Sequence, residues 1–241
     1  EEAGLQGAMA FFTEDPLVKR VGLVLNLESR GGGGRALMFE TSARAGGLIA
    51  AYGNVVASPA ANSLSAFIYR IMPNGTDFTN ALAADIPGLN FAFIGDEFAY
   101  HSASATPDNL DPGSVQHLGD QVLSLVRLLG NADDLNARAP DVIYADLFGL
   151  YFVSYPQAAG WALIGVLALL LGYTLMQARA RGLVRPAALA LGVAYFLGLA
   201  LVTGLILYFA KAAVGDLLDY QFKYALIGRH DFFLGGCVLL A

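Results

Sequence analysis

Four ionisable side chains in this sequence have the chemistry expected of a metal site. Glu1 and Glu2 stand together at the start of a helix-like segment, Glu28 follows an apolar run, and His101 follows another apolar run by a short loop. Carboxylate oxygen and imidazole nitrogen both bind zinc, and the ligands can come from remote loops. A zinc-dependent hydrolase also needs a general base that takes a proton from the attacking water. These residue types fit metal-assisted hydrolysis.

The two apolar runs predict strands that would position Glu28 and His101. Val21–Leu27 and Leu89–Ile94 are continuously apolar, which predicts strands buried on both faces, and the first predicts a central strand. Open α/β sheets bind ligands at the carboxyl ends of their strands. Taken alone, each acid has a simpler explanation, such as favourable charge at a helix start or solvation at a strand end.

The rest of the pattern predicts alternating helices and strands, and therefore an α/β domain with a largely parallel or mixed sheet. Glu1 to about Phe12 has helical spacing, and the glycine run Gly31–Gly34 predicts a flexible turn, because the ending of a phosphate-binding loop is missing. Ser114–Leu129 predicts a closing amphipathic helix with one apolar face, made of Val115, Leu118, Val122, Leu125 and Leu129. The other predicted elements are the strand Ala36–Glu40 and the helices Leu48–Val56, Ser63–Ile71 and Thr76–Ala84, the last capped by Asn74 or Thr76.

The second part of the chain has the composition of a membrane region. No acidic residue lies between Asp146 and Asp216, and the stretches 158–176 and 187–210 carry no charge at all. Both are long enough to cross a bilayer as helices, the alternative being buried core helices. A further apolar run begins at Phe232 and predicts a third, truncated span. We therefore divide the chain into a partial domain (1–130), a linker and membrane approach (131–157) and a transmembrane region (158–241).

Charge also predicts the orientation in the membrane. The hairpin between the first two predicted spans holds Arg179, Arg181 and Arg185 and no acid, so the positive-inside rule places it in the cytoplasm. The acidic domain would then lie on the other side, which is periplasmic or extracellular in a bacterium and lumenal in a eukaryote. An acidic domain without a basic cluster argues against nucleic acid as a partner.

Several short motifs, in this order, resemble the di-zinc aminopeptidase family, and in particular its membrane-anchored branch, typified by the endoplasmic-reticulum metallopeptidase. The motifs are Glu1-Glu2, Asn26-Leu27-Glu28, Pro73-Asn74-Gly75-Thr76-Asp77-Phe78, Ile86-Pro87-Gly88-Leu89-Asn90 and Tyr100-His101-Ser102. The resemblance implies an aminopeptidase-type zinc exopeptidase with two zinc ions and a peptide substrate, anchored in a lipid bilayer. It implies that Glu1 is the general base and that Glu2, Glu28 and His101 are metal ligands.

The resemblance leaves some points open. The family's upstream His and bridging Asp have no counterpart before Glu1, so we expect the chain to be a fragment that is inactive by itself. Asp77 begins a predicted helix, where it could cap the helix, line the substrate cleft or orient a ligand, and Tyr100 is a second candidate for the cleft. Ala105 stands where the branch commonly has Asp.

Two other functions remain possible. One is a peptidase-fold ectodomain that binds partners without cleaving them, which absence of the His-x-Asp pair from the upstream sequence would indicate. The other is a single-zinc acyltransferase of the glutaminyl cyclase type, which the metal content per chain would distinguish.

Overall fold

The structure is a computed structural model that describes residues 4–72, 74–132 and 137–217. It divides into two compact units, Glu1–Ala159 and Gly160–Ala241, which are described separately. In the first unit the helices are α1 (Gln6–Glu14), α2 (Gly46–Val55), α3 (Ser63–Ile71), α4 (Asp77–Ala83) and α5 (Pro112–Leu129). Its strands are β1 (Val24–Ser29), β2 (Gly33–Thr41), β3 (Gly88–Gly95), β4 (Val142–Leu147) and β5 (Tyr151–Pro156). The long helices α6 (Gln157–Ala180) and α7 (Pro186–Leu217) follow.

The main sheet is mixed and has the order β1-β3-β2. β3 runs parallel to β1 and antiparallel to β2. The α/β fold with a mixed sheet is therefore confirmed. β3 is buried from Gly88 to Phe93, which agrees with its continuous apolar sequence.

The prediction that the first apolar run forms a central strand is wrong for the described structure. The strand begins at Val24 and pairs, among the described residues, only with β3, so it lies at an edge. Leu27 is 48% exposed as a result. Apolar composition predicted burial on both faces, but the position of a strand within the sheet is decided by its pairing partners.

The hydrophobic core lies between the sheet and two helices. Apolar residues of β2 and β3 pack on one side of the sheet against α2 and α5, while α3 covers the other side. Leu118, Val122 and Leu125 of α5 are buried as its periodicity predicted, but Val115 is 43% exposed, because the buried stripe passes through Ser114 in that turn.

Two local predictions have different outcomes. Thr76 is the N-cap of α4, and its backbone N–H donates to Thr79 Oγ1 at 3.1 Å, so one of the two proposed caps is confirmed. The glycine run, in contrast, consists of a buried bend at Gly31 and Gly32 followed by the first two residues of β2. A Cβ on Gly31 would lie 2.1 Å from the carbonyl oxygen of Gly95, which only glycine avoids.

The segment 131–157, which the sequence analysis assigned to a linker, contains a folded element. β4 and β5 form an antiparallel hairpin that packs on α2 and α3, and Tyr144 is buried beneath it. The aromatic and β-branched residues from Val142 to Pro156 favour strands, but aromatic residues close to an apolar helix were interpreted as a membrane approach.

The second unit contributes two helices that are long and apolar enough to cross a membrane, Gln157–Ala180 and Pro186–Phe209, each of 24 residues. Almost all of the side chains described in them are exposed. This agrees with the two predicted spans. The third predicted span, from Phe232, lies outside the described residues.

Candidate metal and substrate site

The parallel pairing of β1 and β3 places two predicted site residues at one edge of the sheet. Glu28 lies opposite Ala92 near the carboxyl end of β1. β3 ends at Gly95 and leads through a 3-10 turn, Glu97–Ala99, to Tyr100 and His101. Because parallel strands end on the same side, residues 28 and 101 come close although 73 positions separate them in the chain.

A pocket of about 260 Å³ opens at this edge. It brings together four residues singled out from the sequence, namely Glu28, Asp77, Tyr100 and His101. Its other lining residues are Gly4, Leu5, Ser29, Arg30, Gly75 and Thr76. Glu1 and Glu2 lie outside the described residues.

Glu28 is fixed by a hydrogen-bond relay that crosses the sheet. The side-chain amide of Asn26 donates to Glu28 Oε1 and to Asn90 Oδ1, both at 2.9 Å. The amide of Asn90 in turn donates to Glu40 Oε2 and to Thr76 Oγ1, both at 2.8 Å. Each amide thus uses both of its N–H groups, which fixes the orientation of each side chain.

The far end of this relay has a perturbed carboxyl group. Burial raises the pKa of Glu40, and the nearby charge of Glu28 adds to the increase, whereas the hydrogen bond from Asn90 and the charge of Arg70 oppose it. The negative charge of Glu40 is therefore disfavoured next to that of Glu28. A cation held near Glu28 would offset this repulsion.

Tyr100 connects His101 to Arg30. The rings of Tyr100 and His101 stack at 3.8 Å with an angle of 19° between their planes. Arg30 Nη2 donates to the Tyr100 hydroxyl at 3.3 Å, and the guanidinium carbon lies 4.9 Å from the centre of the ring. His101 has a φ of 52°, an uncommon conformation for a residue with a side chain. The imidazole ring of His101 therefore packs on the ring of Tyr100, while the His101 backbone has a left-handed conformation.

Asp77 contributes a carboxylate oxygen without a donor. It is the first residue of α4, while the N-cap is Thr76, so Asp77 does not occupy the capping position itself. Its Oδ1 is buried and has no hydrogen-bond partner among the described residues. Buried acceptors are nearly always paired, and Asp77 is a lining residue of the pocket that also contains Glu28 and His101.

The carboxylate and imidazole groups that line this pocket are of the chemical types that bind zinc. Among residues 4–72, 74–132 and 137–217, no group of three or more His, Cys, Asp or Glu side chains lies close enough to hold a metal. Glu28, Asp77 and His101 are thus of types that zinc binds, but the described part of the chain does not by itself hold a complete metal site.

Three residues of this site were not identified as candidates from the sequence: Asn26, Asn90 and Arg30. Asn26 was part of a quoted motif without a role. Asn90 is a polar residue inside the apolar strand Gly88–Gly95, and a fully buried amide requires partners, so its position was an available signal. For Arg30 there was no such signal, because its contact with Tyr100 spans 70 residues.

Comparisons with known proteins show the family to which this chain is related. Residues 1–126 match the sequence model of Peptidase family M28. Endoplasmic reticulum metallopeptidase 1 of Homo sapiens is 31% identical over 167 residues, which cover 66% of this chain and 18% of the relative. The corresponding protein of Mus musculus is 28% identical over 242 residues, which cover 94% and 27%. The latter match extends beyond the first unit into the two apolar helices.

A vacuolar membrane protease of Candida dubliniensis is 31% identical over 163 residues, covering 66% of this chain and 17% of that protein. The chain thus spans about a sixth to a quarter of the length of these relatives. No solved structure matches the chain. Because the family model covers more than half of its residues, this chain belongs to peptidase family M28.

Proposed function

We propose that the protein containing this chain is a membrane-anchored zinc peptidase that removes residues from the amino terminus of peptides. The observation that carries the proposal is the pocket that brings together Glu28, Asp77, Tyr100 and His101 from three separate segments. The names of the relatives, an endoplasmic reticulum metallopeptidase and a vacuolar membrane protease, support the same activity and a membrane location.

In this proposal, Glu28 and His101 are metal ligands together with Glu2, in a site for two zinc ions that the rest of the protein completes. Zinc, when bound, supplies Lewis-acid polarisation of the reacting carbonyl and water. In the sequence, Glu2 is two positions before Gly4, and Gly4 lines the pocket.

The protein's own residues supply positioning and proton transfer. Glu1 takes a proton from the attacking water and later passes it to the amine that leaves. The relay through Asn26 holds the carboxylate of Glu28 in one orientation, and Tyr100 supports the ring of His101. Asp77, whose Oδ1 has no partner among the described residues, accepts a hydrogen bond from a neighbouring ligand or from the substrate.

The proposal also places the peptidase domain on the non-cytoplasmic side of the membrane, in a multi-pass protein. The arginines of the loop between α6 and α7 support this orientation through the positive-inside rule. The substrate would then be a peptide in the lumen, periplasm or extracellular space.

The test uses the full-length parent protein, purified in detergent, with zinc content and release of amino acids from aminoacyl substrates as readouts. Glu1→Gln should abolish turnover and leave the metal bound, because it removes a base and no ligand. Glu2→Gln, Glu28→Gln and His101→Ala should lose both metal and turnover. Glu14→Gln, an exposed Glu on α1, is the matched control and should change neither.

Each alternative has its own result in this experiment. Near-normal turnover of Glu1→Gln would refute the base assignment, and chelator-resistant turnover of His101→Ala would refute the metal site. One zinc per chain would favour the single-zinc acyltransferase. Neither zinc nor turnover in the full-length protein would favour a binding module. The 241-residue chain alone should be inactive, since it carries three of the five ligands that the resemblance implies.

A further inference from the structure

The β4–β5 hairpin has an apolar outer face. Its three outward cross-strand pairs are Ile143 with Tyr155, Ala145 with Val153, and Leu147 with Tyr151. None of the six side chains carries a charge. A two-stranded ribbon that packs on a domain with one side normally presents polar residues to water on the other. This face therefore has the composition of a covered surface.

The inner face explains why the hairpin is rigidly placed. Phe152 packs against Tyr52 and lies so close to α2 that a Cβ on Gly53 would be 2.5 Å from its ring. Asp146 Oδ1 accepts from the backbone N–H of Ala61 at 3.0 Å, and Asp146 lies 3.9 Å from Arg35. The acid of the hairpin thus points inward, and the outer face stays uncharged.

The turn of the hairpin extends this apolar surface. Phe148 is 95% exposed and Leu150 is 71% exposed, although both are large apolar side chains. Phe148 has a φ of 56° and Gly149 a φ of 69°, and the backbone N–H of Gly149 donates to Asp146 Oδ2 at 2.9 Å. The turn is therefore held by a hydrogen bond from its own backbone to Asp146, and it leaves the ring of Phe148 exposed.

Chain continuity indicates what covers this surface. β5 ends at Pro156 and α6 begins at Gln157, without an intervening linker. Phe148 and Gln157 are nine positions apart in the chain, so the turn cannot be more than about 30 Å from the start of that bilayer-length helix. Tyr151 and Tyr155 on the face, and Trp161 in the second turn of α6, are residue types that concentrate at the boundary between lipid and water.

We propose that the outer face and turn of the β4–β5 hairpin rest on the lipid–water interface of the membrane, so that the hairpin is a docking surface for lipid. A tyrosine side chain can bury its ring there while its hydroxyl stays hydrated, and a phenylalanine side chain has no polar group to bury. The inference requires α6 to cross the bilayer, but it does not depend on the peptidase reaction. It holds or fails whatever the result of the metal and turnover measurements.

The experiment measures depth with a nitroxide spin label in the full-length protein, freed of its native cysteines and reconstituted in phosphatidylcholine–phosphatidylglycerol vesicles. Labels are placed at Phe148→Cys, at Leu169→Cys in the middle of α6, and at Val126→Cys, an exposed apolar position on α5. Collision rates with oxygen and with a water-soluble nickel complex report the depth of each label. All three side chains are exposed, so the substitutions should not disturb folding.

We expect the ratio of oxygen to nickel collisions to be highest at position 169, lowest at position 126, and several-fold higher at position 148 than at position 126. Equal ratios at positions 148 and 126 would overturn the proposal, because the turn would then be in water. A label at position 148 that neither reagent reaches would also overturn it, since protein would cover the turn. A ratio at position 169 as low as at position 126 would show that α6 does not cross the bilayer, and the proposal would then fail.

Discussion

The side-chain amide of Asn26 donates a hydrogen bond to Oδ1 of Asn90 at 2.9 Å, from one parallel strand to the next. The same amide holds Glu28 Oε1, so the orientation of a proposed metal ligand depends on a buried residue 62 positions away in the chain. Groups that orient the ligands of a metal typically change its affinity by 10–100-fold when they are removed. This pairing gives the first prediction.

Asn90→Ala should weaken both the fold and the metal site. The change removes the Asn90 amide that donates to Glu40 Oε2 and Thr76 Oγ1 and one of the two acceptors of Asn26, at a cost of about 2–4 kcal/mol. The melting temperature of the full-length protein should fall by roughly 5–10 °C. Zinc affinity, measured by competition with a chelator, should fall at least about 10-fold. The exposed Asn131→Ala should leave both unchanged, and a zinc affinity unaltered in Asn90→Ala would refute the relay.

Tyr100 should matter through its ring more than through its hydroxyl. Tyr100→Phe keeps the stack on His101 and loses one long hydrogen bond from Arg30, so zinc affinity should change by no more than about twofold. Tyr100→Ala removes the stack, and zinc affinity should fall by about 10-fold. Equal zinc affinities in the two variants, measured by chelator competition, would show that the ring does not position the imidazole.

Tyr52→Phe and Tyr144→Phe form a matched pair with opposite expectations at neutral pH. The hydroxyl of Tyr52 donates to Gln121 Oε1 at 2.5 Å and accepts from the N–H of Ala60 at 2.8 Å, so its loss should cost about 1–3 kcal/mol. The buried hydroxyl of Tyr144 has no partner among the described residues, so its loss should cost less than about 0.5 kcal/mol or stabilise the protein. Thermal unfolding of the two variants beside the parent is the measurement.

The same two tyrosines predict a loss of stability in alkali. Burial raises the pKa of Tyr144 to about 12 and raises that of Tyr52 further, above the ordinary value near 10. The folded pKa is the higher one, so the contribution to stability is full below about pH 10 and is lost as pH rises towards 12. Tyr144→Phe should therefore lose less stability than the parent between about pH 8 and pH 11. Identical pH profiles of melting temperature would contradict this.

The orientation of the membrane region can be tested with two reporter fusions. A reporter placed after Arg181, between α6 and α7, should indicate the cytoplasm, because that loop carries three arginines and no acid. A reporter placed within residues 130–140 should indicate the other side. Both reporters on one side would refute a crossing by α6.

Most of the elements could be predicted from the sequence, because they are recorded in local patterns, whereas the β4–β5 hairpin was missed. The predicted helix over Ser63–Ile71 has the observed bounds, and the strands around Leu37 and Phe91 lie where the apolar runs predicted them. The positions of Glu28 and His101 after apolar runs indicated the carboxyl edge of the sheet. The two bilayer-length helices follow from composition alone, since an uncharged stretch of that length suits lipid.

Only the tertiary structure decided which strand lies in the middle, and with it the environment of the site. β1 and β3 have similar apolar sequences, and pairing makes the first an edge and the second the centre. The relay from Asn26 to Asn90 spans 64 positions and the contact of Arg30 with Tyr100 spans 70. Periodicity within a segment indicates which side of that segment is buried, but it does not indicate which other segment packs against it or pairs with it. The partners of a buried polar group are set by strand order and register, which exist only once the chain has folded.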